Sequence, residues 1–149
     1  MQAQMLAPAA VLIAWSLIML FWTTGTRFPA IAQMGGSLAD AKPGGRGRDL
    51  NGVLPDKVNW KAHNYDHLME QPTIFYPAVI ILAMMGAASG DVLAAWAYVG
   101  LRIVHSIYQA TVNVVKVRFL IFLLSTVAMV YLSARAVIMT LLNNPGVIS

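Results

Sequence analysis

The stretch Val99–Arg118, VGLRIVHSIYQATVNVVKVR, decides how the chain is read. It is apolar enough for a bilayer, yet it holds Arg102, His105, Gln109, Asn113 and Arg118. At about 100° per residue on an α-helix, Asn113, Gln109 and His105 fall roughly 20°, −20° and −60° from Arg102, and Ser106 falls about 40° from it. These polar groups share one arc of about 100°, and lipid-compatible side chains fill the rest. A charge against hydrocarbon costs several kcal/mol, so the stripe has to face protein, water or a polar ligand.

Composition agrees with a membrane setting. Of 149 residues 58% are hydrophobic and 11% charged, with mean hydropathy +0.66, whereas soluble domains carry about 25% charged residues. This describes an all-α integral membrane protein, a single bundle over residues 1–149. The net charge of +4 is explained by membrane topology and not by nucleic acid. With no cysteine, disulfides, thiolate metal sites and a cysteine nucleophile are excluded, and any thiol has to arrive on a ligand.

Outward from this stretch the pattern predicts four transmembrane helices over about 6–24, 60–85, 92–113 and 118–142, with a loop over 25–59. Leu6–Trp22 is the first apolar run. It reads as a span and not a cleaved leader, because Met1–Met5 has no Lys or Arg and Arg27 follows the run. Gly35-Gly36 and Lys42-Pro43-Gly44-Gly45-Arg46-Gly47-Arg48 are loop chemistry, without the spacing of a phosphate-binding loop. The second helix starts polar and should kink at Pro72 and Pro77. Gly86–Asp91 and Val114–Val117 should be turns, and the tail Asn143–Ser149, with Pro145-Gly146, should fray.

Eight of the ten basic residues, Arg27, Lys42, Arg46, Arg48, Lys57, Lys61, Lys116 and Arg118, lie in the first loop, its flanks or the last turn. The positive-inside rule then puts both termini outside and the long loop in the cytoplasm. Glu70 and Arg102 come to depths roughly 5–7 Å apart, close enough for an ion pair that also lines a pocket. His105, one turn on, reads as a packing residue or a pocket residue. His63, His67 and Glu70 share a face, but they are too few convergent ligands for a metal site, and none is expected. Arg118, where the last helix begins, is either a topological anchor or a cation placed for an anion or thiolate. Arg135 reads as a snorkelling residue, and Tyr65, Tyr76, Trp96, Tyr98 and Tyr131 as belt or packing aromatics.

Two segments carry a resemblance: Asn64–Tyr76, NYDHLMEQPTIFY, and Trp96–Ser106, WAYVGLRIVHS. Together with Asn113 and Arg118 they resemble the MAPEG family, the membrane-associated proteins in eicosanoid and glutathione metabolism, in a bacterial-type member. The resemblance implies a left-handed four-helix bundle assembled as a homotrimer in the inner or plasma membrane, with glutathione bound between subunits. It implies that Arg118 stabilises the glutathione thiolate, that Arg102, His105 and Glu70 support the site, and that His67, Gln109 and Asn113 line it. The activity implied is a glutathione-dependent transferase or peroxidase acting on a lipophilic small molecule. Catalytic members carry arginines and an asparagine just before the glutamate; here His63, Asp66 and His67 stand there, and Gln109 replaces a tyrosine. A non-catalytic member that binds a lipid or protein partner is the second reading.

Overall fold

The computed structural model of the protein describes residues 1–142, so the tail from Asn143 lies outside the described residues. Five α-helices are present: α1 Gln2–Gln33, α2 Asp56–Leu68, α3 Pro72–Met85, α4 Ser89–Thr111 and α5 Val115–Val137, the last running into a π-turn over Ile138–Leu142. No strand occurs among the described residues. Three stretches are long and apolar enough to cross a membrane, Gln2–Gln33, Asp56–Met85 and Val115–Leu142. Helix α4, at 23 residues or about 35 Å, is long enough as well, but the polar stripe lowers its hydropathy.

Burial explains how the helices pack. On α1 the buried positions include Met5, Ala9, Leu12, Ser16, Met19 and Thr23; on α4 they include Asp91, Ala95, Tyr98, Arg102, His105 and Gln109; on α5 they are Ser125, Met129, Leu132 and Ala136. Each series steps by alternating fours and threes, the 3.5-residue repeat that keeps one seam facing its neighbours in a gently supercoiled bundle. The polar stripe of α4 is therefore its seam. Helix α4 packs on α1, α2 and α5, and α1 packs on α2 and α3. The opposite face of α5 is left open, with Phe119, Leu120, Leu124, Val127 and Val130 all exposed.

Several boundaries differ from the sequence expectation. Helix α1 continues past the apolar run to Gln33, and within it the Thr24 and Thr26 hydroxyls donate back to the carbonyls of Leu20 (2.7 Å) and Trp22 (2.9 Å). The Thr23 hydroxyl donates to the Lys61 carbonyl (3.0 Å) and holds the extension against α2. The loop accordingly shortens to 34–55, with two single 3₁₀ turns. The kink expected at Pro72 is a full interruption at 69–71, with Pro72 as the first residue of α3, where its missing N–H costs nothing. Gly86, at φ +94°, closes α3 in the left-handed region. Residues 89–91 belong to α4, not to the turn, since the Asp91 carboxylate accepts from the Ala88 N–H at 2.9 Å and caps the helix. The last turn lies at 112–114, and α5 begins three residues before Arg118.

Arg135 does not snorkel to water. Its Nε and Nη2 donate to the two carboxylate oxygens of Asp91 at 2.9 and 3.1 Å, and the Tyr131 hydroxyl donates to the same carboxylate at 3.2 Å. Asp91 is fully buried, so this charge has to be paired. Removing only one partner leaves a stranded charge, and removing both does not. Asp91→Ala should lower the thermal midpoint in detergent clearly more than the double change Asp91→Ala/Arg135→Met. Equal or additive losses would show that the pair is not coupled.

Candidate functional site

The interruption between α2 and α3 shapes the site. It leaves the His67 carbonyl with only a long bond of 3.4 Å from the Glu70 N–H. Arg102, fully buried on the α4 seam, fills that gap: its Nη2 donates to the His67 carbonyl at 3.0 Å and lies 3.3 Å from His67 Nδ1. The guanidinium also lies over the Phe122 and Tyr98 rings, at 5.7 and 6.0 Å from their centres. Its Nε and Nη1 are buried with no hydrogen-bond partner.

The expected Glu70–Arg102 ion pair is absent. Glu70 falls in the interruption and not on a continuous helix, which turns its side chain outward, 66% exposed. His67 Nε2 lies 3.9 Å from its carboxylate. Neither do the histidines of α2 converge: His63 meets the Asn51 side chain at 2.9 Å, while His67 stacks on His105 with ring centres 4.9 Å apart. Phe122, one turn beyond Arg118 on α5, lies 5.4 Å from the His67 ring and 6.3 Å from that of His105.

At the last turn the N–H groups of Val112 and Asn113 both close on the Tyr108 carbonyl at 2.9 Å. Asn113 then takes φ +58°, a conformation asparagine tolerates better than most side chains. This aims its Oδ1 at Arg118, whose Nη1 donates to it at 2.6 Å. Arg118 is half-buried in the first turn of α5, where its own N–H and that of Val117 close on the Val114 carbonyl (3.1 and 3.2 Å) and, among the described residues, only those of Val115 and Lys116 lead the helix unbonded to backbone.

The residues singled out from sequence thus divide by position. His67, Glu70, Asn113 and Arg118 lie at an accessible rim, whereas Arg102, His105 and Gln109 are buried behind it. The Gln109 side-chain carbonyl is buried without a partner. Two networks went unread in the sequence. The Ser106 hydroxyl accepts from Trp15 Nε1 (2.9 Å) and Asn64 Nδ2 (2.8 Å), joining α1, α2 and α4. Gln71, in the interruption, accepts from the Tyr98 hydroxyl (3.2 Å) and donates to Thr126 Oγ1 (3.0 Å). Ser106 was visible on the stripe, but its partners follow only from packing. Where the family resemblance leads one to look for ligand arginines, His63 and Asp66 tie α2 to the loop, through Asn51 and through Arg48 at 3.9 Å.

An all-α bundle with long apolar helices and a buried Arg/His seam beside a helix-start arginine defines a class of small membrane proteins. Within that class the chain belongs to the MAPEG family, whose profile matches residues 5–138. No curated protein and no solved structure shows significant similarity to the chain.

The positive φ at residue 113 separates backbone from side-chain roles. Asn113→Ala should lose about 1 kcal/mol from the left-handed backbone alone, while Asn113→Gly should restore that part and still release Arg118. Thermal unfolding of the two variants in detergent measures the difference, and equal stabilities would contradict a strained position.

Proposed function

We propose that the protein is a membrane-embedded, thiol-dependent transferase or peroxidase, with glutathione or a similar thiol as co-substrate and a lipophilic electrophile as its second substrate. The observation that carries this reading is Arg118, oriented by Asn113 at 2.6 Å, half-exposed at the start of α5 and beside the His67–His105–Phe122 cluster. The guanidinium, beside the positive end of α5, favours a thiolate over a thiol and lowers its pKa. In transfer, the thiolate sulfur forms the new bond to the electrophilic carbon, and the leaving group departs with its electron pair. In peroxidase chemistry the sulfur takes the terminal oxygen of a hydroperoxide, an alcohol leaves, and a second thiol reduces the sulfenic acid to a disulfide and water. The electrophile reaches the sulfur from the lipid side, past Phe119 and the open apolar face of α5.

In this reading Arg102, His105 and Gln109 hold the rim in place from behind, and Glu70 and His67 face the thiol. A homotrimer accounts for the open flank: a neighbouring copy covers the accessible rim and part of the exposed α5 surface. The termini lie outside and the 34–55 loop in the cytoplasm, following the basic residues.

A second reading is a non-catalytic member of the family. It is favoured by one observation: the α2 positions that would meet the carboxylates of glutathione carry His63 and Asp66, both turned to the loop.

The two readings separate in one assay, turnover of a chloronitrobenzene or a lipid hydroperoxide with glutathione. Arg118→Ala should lower kcat/KM about 10²-fold, as loss of a charge-stabilising donor does. It should also move the acidic limb of the pH profile, where activity is lost as the thiolate is protonated, up toward the free-thiol value of about 8.5. Unchanged activity in Arg118→Ala overturns the role given to Arg118. No turnover with any low-molecular-weight thiol supports the non-catalytic reading.

A further inference from the structure

Helix α1 is about 48 Å long against a hydrocarbon core of about 30 Å, so its last turns project to the level of the lipid head groups. Between this projection, α2 and the 34–55 loop lies a groove of about 700 Å³, within the size range of small-molecule sites. Leu20, Phe28 and Ile31 of α1 form one wall, and Leu50 and Tyr65 stand opposite. A smaller basin of about 270 Å³ continues past Arg27 to Arg48 and His63. None of Arg102, His105, Gln109, Asn113 or Arg118 lines either.

The charges at the mouth are unevenly partnered. All three carboxylates that border the groove are engaged: Asp49 accepts from the Arg46 N–H at 2.7 Å, Asp40 from the Ser37 N–H at 3.1 Å, and Asp66 lies 3.9 Å from Arg48. The cations are less satisfied. Arg46 and Lys42 form no side-chain hydrogen bond or ion pair among the described residues. Arg27 donates from Nη2 to the Gly47 carbonyl at 2.7 Å, and its Nε is buried with no partner. Gly47 permits this close approach, since a Cβ there would meet Arg27 Nη1 at 2.7 Å.

An apolar wall that rises from Leu20 past Arg27 to Phe28 and Ile31, with under-partnered guanidinium groups along it, matches a molecule with an acyl chain and an anionic head. We propose that this groove binds one acyl chain of an anionic amphiphile, its carboxylate or phosphate on Arg27 and Arg46 and its chain along Leu20, Phe28 and Ile31. The groove does not include Arg118 or the polar seam, although its α2 edge, at Asp66 and His63, is the edge that would meet the carboxylates of glutathione.

Titration of the detergent-solubilised protein with the fluorescent fatty acid dansyl-undecanoate tests the proposal. The probe should saturate, and oleate and oleoyl phosphate should displace it while oleyl alcohol does not. Arg27→Gln and Arg46→Gln should each weaken probe binding about tenfold, the loss expected for one charge-assisted hydrogen bond. Gly47→Val, which forces the Arg27 guanidinium aside, should do the same, and Arg118→Ala should have no effect. Arg46 is exposed in the loop, so its variant tests the head-group contact without touching the bundle. Displacement by oleyl alcohol as readily as by oleate, or wild-type affinity in both glutamine variants, would overturn the proposal. Native mass spectrometry then identifies the source: a retained anionic phospholipid points to the bilayer, and probe binding without one points to free fatty acid.

Discussion

A permanent cation sits at the centre of this bundle. Arg102 cannot discard its proton to escape burial, so the structure around it has to supply acceptors and π-faces in place of water. The His67 carbonyl, the His67 ring and the Phe122 and Tyr98 faces do so. Each of these is available only because something else has been arranged: the carbonyl because α2 stops, Phe122 because α5 begins early, Tyr98 because Gln71 holds its hydroxyl. Much of the geometry near the site follows from accommodating one guanidinium.

The same constraint separates positioning from chemistry. Of the buried members of the stripe, Arg102 and Ser106 bond to neighbouring helices and His105 stacks on His67, while Gln109 keeps an unpartnered carbonyl. The residues that leave the seam at the chain breaks, Asn113 and Arg118 at one and Glu70 at the other, are the accessible ones. Where these buried groups are paired, a rotation would cost a hydrogen bond, which holds that part of the seam in place. Residues at its frayed ends are held on one side and open on the other, which suits them to meet a ligand.

Much of this was legible in the sequence, for definable reasons. The stripe on α4 was readable because helical geometry converts spacing directly into a face, and its burial follows from the cost of charge in hydrocarbon. The all-helical, membrane-spanning character followed from hydropathy in the same way, although the second expected helix is divided in two. The Glu70–Arg102 pair was misread because depth was counted along an unbroken helix, while Pro72 removes the register on which that count rests. Arg135 was misread because its partner Asp91 lay in a segment taken for a turn. The Trp15–Ser106–Asn64 network joins residues up to 91 positions apart, and no local pattern encodes such a contact. The contacts of His63 with Asn51 and of Asp66 with Arg48 depend on how the loop folds over α2, which no local pattern encodes.

The interruption at 69–71 also bears on how the chain enters a membrane. Helices α2 and α3 have 13 and 14 residues, and neither alone reaches across a hydrocarbon core that takes about 20. An insertion machinery that samples one segment at a time would meet a polar half followed by an apolar half. The His67 carbonyl at the junction would keep only its long bond from the Glu70 N–H until α4 delivers Arg102 to it. The second crossing is therefore completed by a residue synthesised some thirty positions later, and integration of this part of the chain has to be concerted with its folding.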